Sequence, residues 1–230
     1  MSDVAPVPVL PIANEGRILR TTQDNGPAFL AGTAKRLVDI ALALFLAPIL
    51  LPSIATLWCL ARLDGGPGFY GHVRVGRGGR IFKCWKVRSM VPDADVRLAD
   101  HLAADLEAAA EWARNEKLTF DPRITRFGHF IRITSLDELP QIWNVLKGEM
   151  SLVGPRPITA AELGRYGPNA DAYLDLRPGI TGLWQVSGRN ETTYEERVTL
   201  DVHYQRSASL VMDARILART ALAVLRGTGR

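Results

Sequence analysis

A run of 22 residues without a charged side chain, from position 40 to position 61, dominates the hydropathy pattern of the chain. A straight helix of this length, rising about 1.5 Å per residue, would cross the roughly 30 Å hydrocarbon core of a bilayer. Pro48 and Pro52 lie in the middle of the run, and each removes a helix hydrogen bond and favours a kink. Basic residues flank both ends, which the positive-inside tendency places on the cytoplasmic side. The pattern favours a re-entrant helix-break-helix over residues 35–62, with a spanning helix or a buried core helix as the alternatives.

Shorter periodic segments follow the apolar run. Residues 69–75 and 80–87 have the composition of β-strands, and the glycines between them predict a hairpin turn. Apolar residues at helical spacing predict an amphipathic helix over residues 92–117, a helix with an apolar face from Leu136 to Leu146, and helical structure from about 192 to 226. Together these elements predict a mixed, helix-rich α/β fold.

The same pattern divides the chain into three parts. Residues 1–34 are rich in Pro, Gly, Asn and Thr without an apolar period, which predicts a disordered tail. Residues 35–62 form the predicted membrane segment, and residues 63–230 form a compact catalytic domain on the cytoplasmic face. We expect amphipathic interfacial helices in this domain. Its last helical stretch either lies on the membrane surface or packs against the core.

Overall composition excludes several classes of protein. A net charge of +4 does not by itself indicate a nucleic-acid-binding protein, and two cysteines cannot build a disulfide framework. Sequences typical of zinc sites and P-loops are absent from the chain. Local charge is more informative than the average, because residues 62–90 hold seven basic side chains and one acidic side chain. Such a ribbon after a membrane segment suits anionic membrane lipids or a phosphorylated lipid, although a solvated strand face is the alternative.

Two adjacent carboxylates, Asp137 and Glu138, are the strongest candidates for chemistry. With Ser135 they match a capping box, in which Glu138 would bond the backbone of Ser135 and have a structural role only. Pro140 disfavours that interpretation, because proline is best placed at the first helical position. If the helix begins at Pro140, the carboxylates lie in the preceding turn and are free to face a site.

Several arginines lie in the segments around this pair and favour a catalytic role for it. They are Arg132, Arg156, Arg177 and Arg189. The guanidinium group of arginine can donate two parallel hydrogen bonds to phosphate oxygens. Arg156 is held between two prolines, so its backbone loses little conformational freedom when it binds an anion. A nucleophilic carboxylate, a metal-binding carboxylate and several arginines are what phosphoryl transfer requires. The alternative is that these arginines only tie loops to carbonyl groups.

Four stretches of the chain resemble the bacterial sugar transferase family, the monotopic polyprenyl-phosphate phosphoglycosyl transferases. These are KRxxD at 35–39, RVGRGGRIFKCWKVRSM at 74–90, the stretch from DPRITRFG to VGPRP at 121–157, and RPGITGLWQVSGRN at 177–190. The resemblance covers about residues 35–226. The sequences of these stretches are most similar to those of members that initiate exopolysaccharides by transferring galactose-1-phosphate or glucose-1-phosphate.

The resemblance implies roles for individual residues. Asp137 matches the nucleophile of the family, and Glu138 matches its partner that binds Mg²⁺. Arg132 matches an arginine that meets the polyprenyl phosphate, and Arg156 lies in a Pro-Arg-Pro element near the active site. Pro52 falls on the proline that breaks the re-entrant helix.

One departure from the family concerns the break in the membrane helix. The family commonly has a serine before the proline, whereas this chain has Leu51 there and an additional Pro48 upstream. A serine hydroxyl can satisfy a carbonyl that the break leaves unpaired, and Ser53 is the nearest candidate to replace it.

The resemblance therefore implies an enzyme of the bacterial inner membrane with its catalytic domain on the cytoplasmic face. It would transfer a sugar-1-phosphate from a UDP-sugar to undecaprenyl phosphate, release UMP, require Mg²⁺ and form an aspartyl-phosphosugar intermediate. We expect no nucleic-acid partner, and the sequence allows a homo-oligomer. Two other classes compete with this hypothesis: a membrane scaffold that binds polyprenyl phosphate without turnover, and a nucleic-acid-binding module built on the basic ribbon.

Overall fold

The computed structural model describes residues 12–13, 17–18, 32–115, 117–187 and 192–225. The helices in this part of the chain are α1 (Thr33–Ala61), α2 (Ala94–Ala104), α3 (Leu106–Asn115), α4 (Arg126–Ile133), α5 (Gln141–Lys147), α6 (Ala160–Gly164), α7 (Ala170–Leu174), α8 (Leu183–Ser187), α9 (Tyr194–Ser207) and α10 (Leu210–Leu225). The strands are β1 (Ile12–Ala13), β2 (Arg17–Ile18), β3 (Phe69–Val75), β4 (Ile81–Val87), β5 (Ser151–Val153) and β6 (Gly179–Thr181). This is the mixed, helix-rich architecture that the sequence predicts.

Three two-stranded sheets are present in the described residues. Strands β3 and β4 form the predicted antiparallel hairpin, with Phe69 opposite Val87 and Val75 opposite Ile81. Its turn uses left-handed backbone at Gly78 and Gly79, a conformation that glycine adopts without steric cost. Strands β5 and β6 pair in parallel, and β1 pairs with β2 inside the segment predicted to be a disordered tail. Most of that tail, residues 1–34, lies outside the described residues.

Two predicted helices are each divided in the structure. The helix expected over residues 92–117 is interrupted at Asp105, whose backbone is extended. The Asp105 carboxylate accepts hydrogen bonds from the backbone of Glu107 at 2.9 Å and of Ala108 at 3.1 Å, so it caps α3 and starts a new helix. The C-terminal helical stretch is likewise divided into α9 and α10, at Ala208.

Helix α1 contains the apolar run and continues through both prolines. The sequence predicted a break here, whereas the helix is uninterrupted over its 29 residues. Ser53 Oγ donates to the carbonyl of Ile49 at 2.9 Å, and not to the carbonyl of Pro48, which Pro52 deprives of its usual donor. Ser53 therefore does not supply the compensation expected of it. The re-entrant topology stays a prediction.

Both ends of α1 pack against the same globular body, and Ala43, Leu50 and Ile54 between the ends also pack on its core. At the N-terminal end, Asp39 accepts from the backbone of Leu152 at 3.1 Å, and Lys35 pairs with Asp213 at 2.6 Å. At the C-terminal end, Arg88 donates to the carbonyl of Ala61. Between them lie exposed apolar side chains, of which Phe45 is 78% exposed. Among the described residues, α1 is the one helix long and apolar enough to cross a membrane.

Helix α5 connects α1 to the hairpin. Arg36 of α1 donates to the carbonyls of Val145 and Leu146, which are among the last carbonyls of α5. The fully buried Asn144 accepts from the backbone of Trp85 at 3.1 Å and donates to the carbonyl of Lys83 at 2.7 Å. These bonds satisfy backbone groups of β4 that would otherwise lack a partner. They also fix α5, and the turn before it, against the hairpin.

Candidate active site

The two predicted carboxylates lie in a single 3₁₀ turn, Leu136–Glu138, immediately before α5. Ser135, which opens the turn, has a left-handed backbone with φ of +57°, an uncommon conformation for a residue with a side chain. Its hydroxyl makes no capping bond, and α5 begins only at Gln141. The capping-box alternative is therefore wrong, because the left-handed Ser135 cannot form it. The carboxylates are left to face a site.

Apolar residues next to the carboxylates anchor this turn against α1. Leu136 and Leu139, on either side of the carboxylates, pack on a cluster formed by Leu57 and Ala61 of α1 together with Ile131 of α4. Burying these side chains holds the turn in place without using its polar groups. The catalytic candidates are thereby fixed close to the C-terminal end of α1.

Lys86 lies between the two carboxylates and was not among the residues predicted for the site. Its ammonium group is 2.6 Å from Glu138 Oε1 and 3.5 Å from Asp137 Oδ2. Burial disfavours its charge, but Glu138 and Asp137 outweigh that effect and raise the pKa of Lys86 above its usual value. The site therefore contains a permanent cation at its centre.

The environment of Asp137 has opposing effects on the pKa of its carboxyl group. The residue is only 6% exposed, and this burial raises the pKa of its carboxyl above the ordinary value. Lys86 opposes the rise, Glu138 adds to it, and Arg132 opposes it again. Without Lys86 and Arg132, the pKa of Asp137 would rise further. These two cations therefore favour the ionised form that a nucleophile needs.

Of the two arginines predicted for the site, Arg132 lies within electrostatic reach of Asp137, and Arg156 lies within electrostatic reach of His72. Arg132 is exposed on the last turn of α4, where its charge lowers the pKa of Asp137. Arg156 is half-buried, and burial, Arg74, Lys86 and Arg156 together lower the pKa of His72, which favours its neutral form. Arg74 itself forms an ion pair of 2.9 Å with Glu162.

The structure does not bring Arg177 to the same place. Its Nε donates to the carbonyl of Gly148, the residue that ends α5. Burial and the nearby charges of Arg77 and Arg36 lower its pKa. The carboxylates precede the opposite end of α5, about 10 Å away along a seven-residue helix. Arg189, the fourth predicted arginine, lies outside the described residues.

A strand pattern could have located Lys86 from the sequence. Phe82, Cys84 and Lys86 alternate along β4 and share one face, on which Phe82 and Cys84 are buried. A lysine that continues a buried face is an exception to alternation, and such an exception indicates a paired charge. Arg74 could not be singled out in this way, because its partner Glu162 is 88 residues further along the chain.

The oxygen donors of the carboxylate pair are compatible with a magnesium ion. Mg²⁺ prefers oxygen ligands and is commonly held by one or two carboxylates together with substrate phosphates. Asp137 and Glu138 offer such carboxylates side by side. The described residues contain no group of three or more His, Cys, Asp or Glu side chains placed to hold a metal. A metal held by these carboxylates, which also face the Lys86 ammonium group, would depend on substrate oxygens for its remaining ligands.

Comparison with known proteins places these residues in a family context. The family model described as bacterial sugar transferase matches residues 30–227. An undecaprenyl-phosphate galactose phosphotransferase of Salmonella typhimurium is 52% identical over 195 residues, which are 85% of this chain and 41% of that protein. A UDP-galactose-lipid carrier transferase of Erwinia amylovora is 53% identical, with the same coverage.

A third relative is closer in length to this chain. The exopolysaccharide production protein ExoY of Sinorhizobium fredii is 43% identical over 201 residues, which are 87% of this chain and 89% of that protein. By contrast, the chain spans about two fifths of the length of the Salmonella and Erwinia relatives.

Proposed function

Because the chain belongs to the bacterial sugar transferase family, we propose that it transfers a sugar-1-phosphate from a UDP-sugar to undecaprenyl phosphate and releases UMP. The observation that carries this proposal is the pair Asp137 and Glu138, joined by Lys86 and placed at the end of an apolar helix. Relatives named for galactose and for glucose transfer favour one of these two sugars. The product would initiate exopolysaccharide or other glycoconjugate assembly, and the ExoY relative is named for exopolysaccharide production.

The proposed chemistry has two steps with the same nucleophile. Asp137 attacks the β-phosphorus of the UDP-sugar. A bond forms between its carboxylate oxygen and phosphorus, and the bond to the bridging oxygen breaks, so that UMP leaves with that oxygen. An oxygen of undecaprenyl phosphate then attacks the same phosphorus, and the Asp137 carboxylate is released. The two steps give a polyprenyl-diphosphate sugar and restore the enzyme.

The residues around Asp137 have distinct parts in this scheme. Lys86 favours the ionised form of Asp137 before attack, and its charge would stabilise the negative charge that develops on the transferred phosphoryl group. Mg²⁺, held by Glu138 with oxygens of the substrate, would neutralise phosphate charge. Arg132, on the helix that packs against α1, would bind the phosphate of the lipid acceptor.

Measurement of UMP separates this function from its competitors. Purified protein is incubated with a panel of UDP-sugars, Mg²⁺ and undecaprenyl phosphate. We expect release of UMP that requires the lipid for repeated turnover and is fastest with UDP-galactose or UDP-glucose. A scaffold would bind the lipid without releasing UMP. A nucleic-acid-binding module would instead bind nucleic acid with a steep salt dependence and need no lipid.

The contacts at both ends of α1 support a re-entrant topology. Its two ends are buried on one globular body, through Asp39 at one end and Ala61 at the other. A helix whose ends lay on opposite faces of the membrane could not have both ends in contact with the same domain. We propose that the enzyme lies in the bacterial inner membrane with its catalytic domain facing the cytoplasm, because basic residues flank both ends of the apolar run.

Labelling of engineered cysteines tests this topology. Single cysteines at positions 30 and 66 of a variant lacking Cys59 should both react with a membrane-impermeant reagent from the cytoplasmic side only. Replacing Pro48 and Pro52 by leucine removes the steric cause of a kink, so part of the protein should then expose its two sites on opposite faces. Labelling of the unaltered helix from opposite sides would contradict the re-entrant topology.

Alanine substitutions separate the arginines by their position. We expect Arg132→Ala and Arg156→Ala each to lower the rate about ten- to a hundredfold, because each removes a charge-assisted hydrogen bond worth roughly 1.5–3 kcal/mol. Lysine at either position should recover only part of the lost rate, because its ammonium group cannot bind two phosphate oxygens at once as the guanidinium group does. Arg177→Ala is the matched control, since it lies at the other end of α5. An equal loss in Arg177→Ala would instead support its predicted role in binding phosphate.

A further inference from the structure

His72 lies on the same face of the hairpin as Lys86, and the mechanism above does not use it. In the register of β3 and β4 it stands opposite Cys84, and Lys86 is the next residue of β4 on that face. Diagonal neighbours of this kind lie about 7–8 Å apart. The Lys86 ammonium group is in turn 3.5 Å from Asp137 Oδ2. The strand register therefore places His72 beside the candidate nucleophile, on the hairpin side of the site.

Contacts along β3 fix the orientation of the His72 ring. Its Nδ1 lies 3.3 Å from Nη2 of Arg74, and Arg74 is held in turn by Glu162 at 2.9 Å. On the other side, the Tyr70 ring packs edge-on against the imidazole, with the ring centres 5.9 Å apart. A ring held from both sides keeps its second nitrogen, Nε2, pointing in one direction.

The contact with Arg74 also decides which nitrogen of His72 carries the hydrogen. A guanidinium group can only donate hydrogen bonds, so Nδ1 of His72 is the acceptor. The neutral ring then carries its hydrogen on Nε2, which becomes a donor. Nε2 has no hydrogen-bond partner among the residues that the structure describes, and it is not one of the buried atoms that lack a partner. His72 therefore presents an oriented donor that a ligand can reach.

The absence of charge distinguishes this donor from the groups that suit phosphate. Lys86, Arg132 and Arg156 are cations, and charged donors bind phosphate oxygens most strongly. Burial, and then the charges of Arg74 and Lys86, lower the pKa of His72 and favour its neutral form. An uncharged donor suits an uncharged hydroxyl group. In a UDP-sugar, the hydroxyl groups nearest to the transferred phosphorus are those of the sugar, which a single oxygen joins to that phosphorus.

We propose that Nε2 of His72 donates a hydrogen bond to a hydroxyl group of the donor's sugar and thereby contributes to the choice of sugar. This inference rests on the proposed function. A site that bonds a hydroxyl group discriminates against a sugar in which that group is missing or differently oriented, because the protein's donor then loses its partner. Galactose and glucose differ in the orientation of one hydroxyl group, so a contact of this kind can separate them.

Binding of the UDP-sugar and of UDP, measured separately, tests the assignment without turnover. In an Asp137→Asn background, calorimetry gives the dissociation constants of UDP-galactose, UDP-glucose and UDP. His72→Phe keeps a planar ring but has no donor, and we expect it to weaken binding of the preferred UDP-sugar about three- to tenfold. UDP lacks only the sugar, so its binding should stay within about twofold. His72→Gln, which keeps an uncharged donor, should recover part of the loss.

Val73→Ala is the matched control for a disturbance of the strand. Val73 follows His72 on β3 but faces the other side of the hairpin, where it is 54% exposed. Its substitution should leave all three dissociation constants unchanged. If His72→Phe weakened the binding of UDP as much as that of the UDP-sugar, the inference would be overturned, because the contact would then lie on the phosphates or the nucleoside.

Deoxygenated donors identify the hydroxyl group itself. Analogues of the preferred UDP-sugar, each lacking one sugar hydroxyl group, are compared in the parent and in His72→Phe. One analogue should bind the parent more weakly than the complete UDP-sugar, and His72→Phe should cost that analogue nothing further. A further loss with every analogue would contradict a hydroxyl contact. A sugar-dependent loss in His72→Phe, in a protein whose unaltered form releases no UMP, would support the inference and contradict the proposed function instead.

Discussion

Asp137→Asn is expected to reduce UMP release to background in a protein that still folds. An amide cannot form the phosphoryl intermediate, although it keeps the shape of the carboxylate. The buried position of Asp137 makes this substitution well tolerated, because burial already disfavours the charged form of the carboxyl. UMP release in the presence of UDP-sugar, Mg²⁺ and undecaprenyl phosphate is the measurement, with circular dichroism as the check on folding.

The proposed covalent intermediate allows a stricter test of the same variant. With UDP-sugar and no lipid, the unaltered protein should release up to one UMP per active site and gain the mass of one sugar-phosphate. It should also exchange labelled UMP into UDP-sugar, and Asp137→Asn should do neither. Glu138→Gln is the neighbouring control, in which any remaining activity should show a changed requirement for Mg²⁺. A phosphosugar mapped to another residue would remove Asp137 from the mechanism.

Lys86→Met is expected to lower the rate of the first step by about a hundredfold or more. Its ammonium group is 3.5 Å from Asp137 and 2.6 Å from Glu138, so the substitution leaves two adjacent carboxylates without their shared cation. Removal of one preorganised electrostatic contact at a site of developing charge typically costs 10²–10³ in rate. The measurement is single-turnover UMP release without lipid. Lys86→Arg, which keeps the charge, should retain more activity.

The pH dependence of that step reports the cause of the loss. Asp137 must be ionised to attack, and Lys86 is the strongest influence that keeps the pKa of its carboxyl from rising. Removing this cation raises the pKa, so the acidic limb of the rate profile should move to higher pH in Lys86→Met. An unchanged acidic limb with a lower plateau would show that Lys86 acts on the phosphoryl group alone.

Sequence patterns located the elements of the site better than their mutual arrangement. The strand composition and the glycine turn correctly predicted the hairpin, and Pro140 correctly indicated that the carboxylates precede α5. Local patterns cannot show which end of a helix a distant arginine reaches, so Arg132 and Arg177 looked alike in the sequence although the structure separates them. Asp105 divides a predicted helix for a similar reason: its capping bonds compete with a periodicity that looked continuous.

On the proposed function and topology, the bonds between Arg36 and the last turn of α5 link catalysis to the depth at which α1 is inserted in the membrane. Arg36 belongs to the first turns of α1, and α5 carries the catalytic turn at its opposite end. The inserted helix and the carboxylates consequently move as one unit relative to the lipid headgroups. A shift of the apolar segment by one helical turn, about 5.4 Å, would carry Asp137 away from the level of the acceptor phosphates. On this proposal the depth of insertion of α1 is a determinant of the second step, in which the lipid attacks, but not of the first.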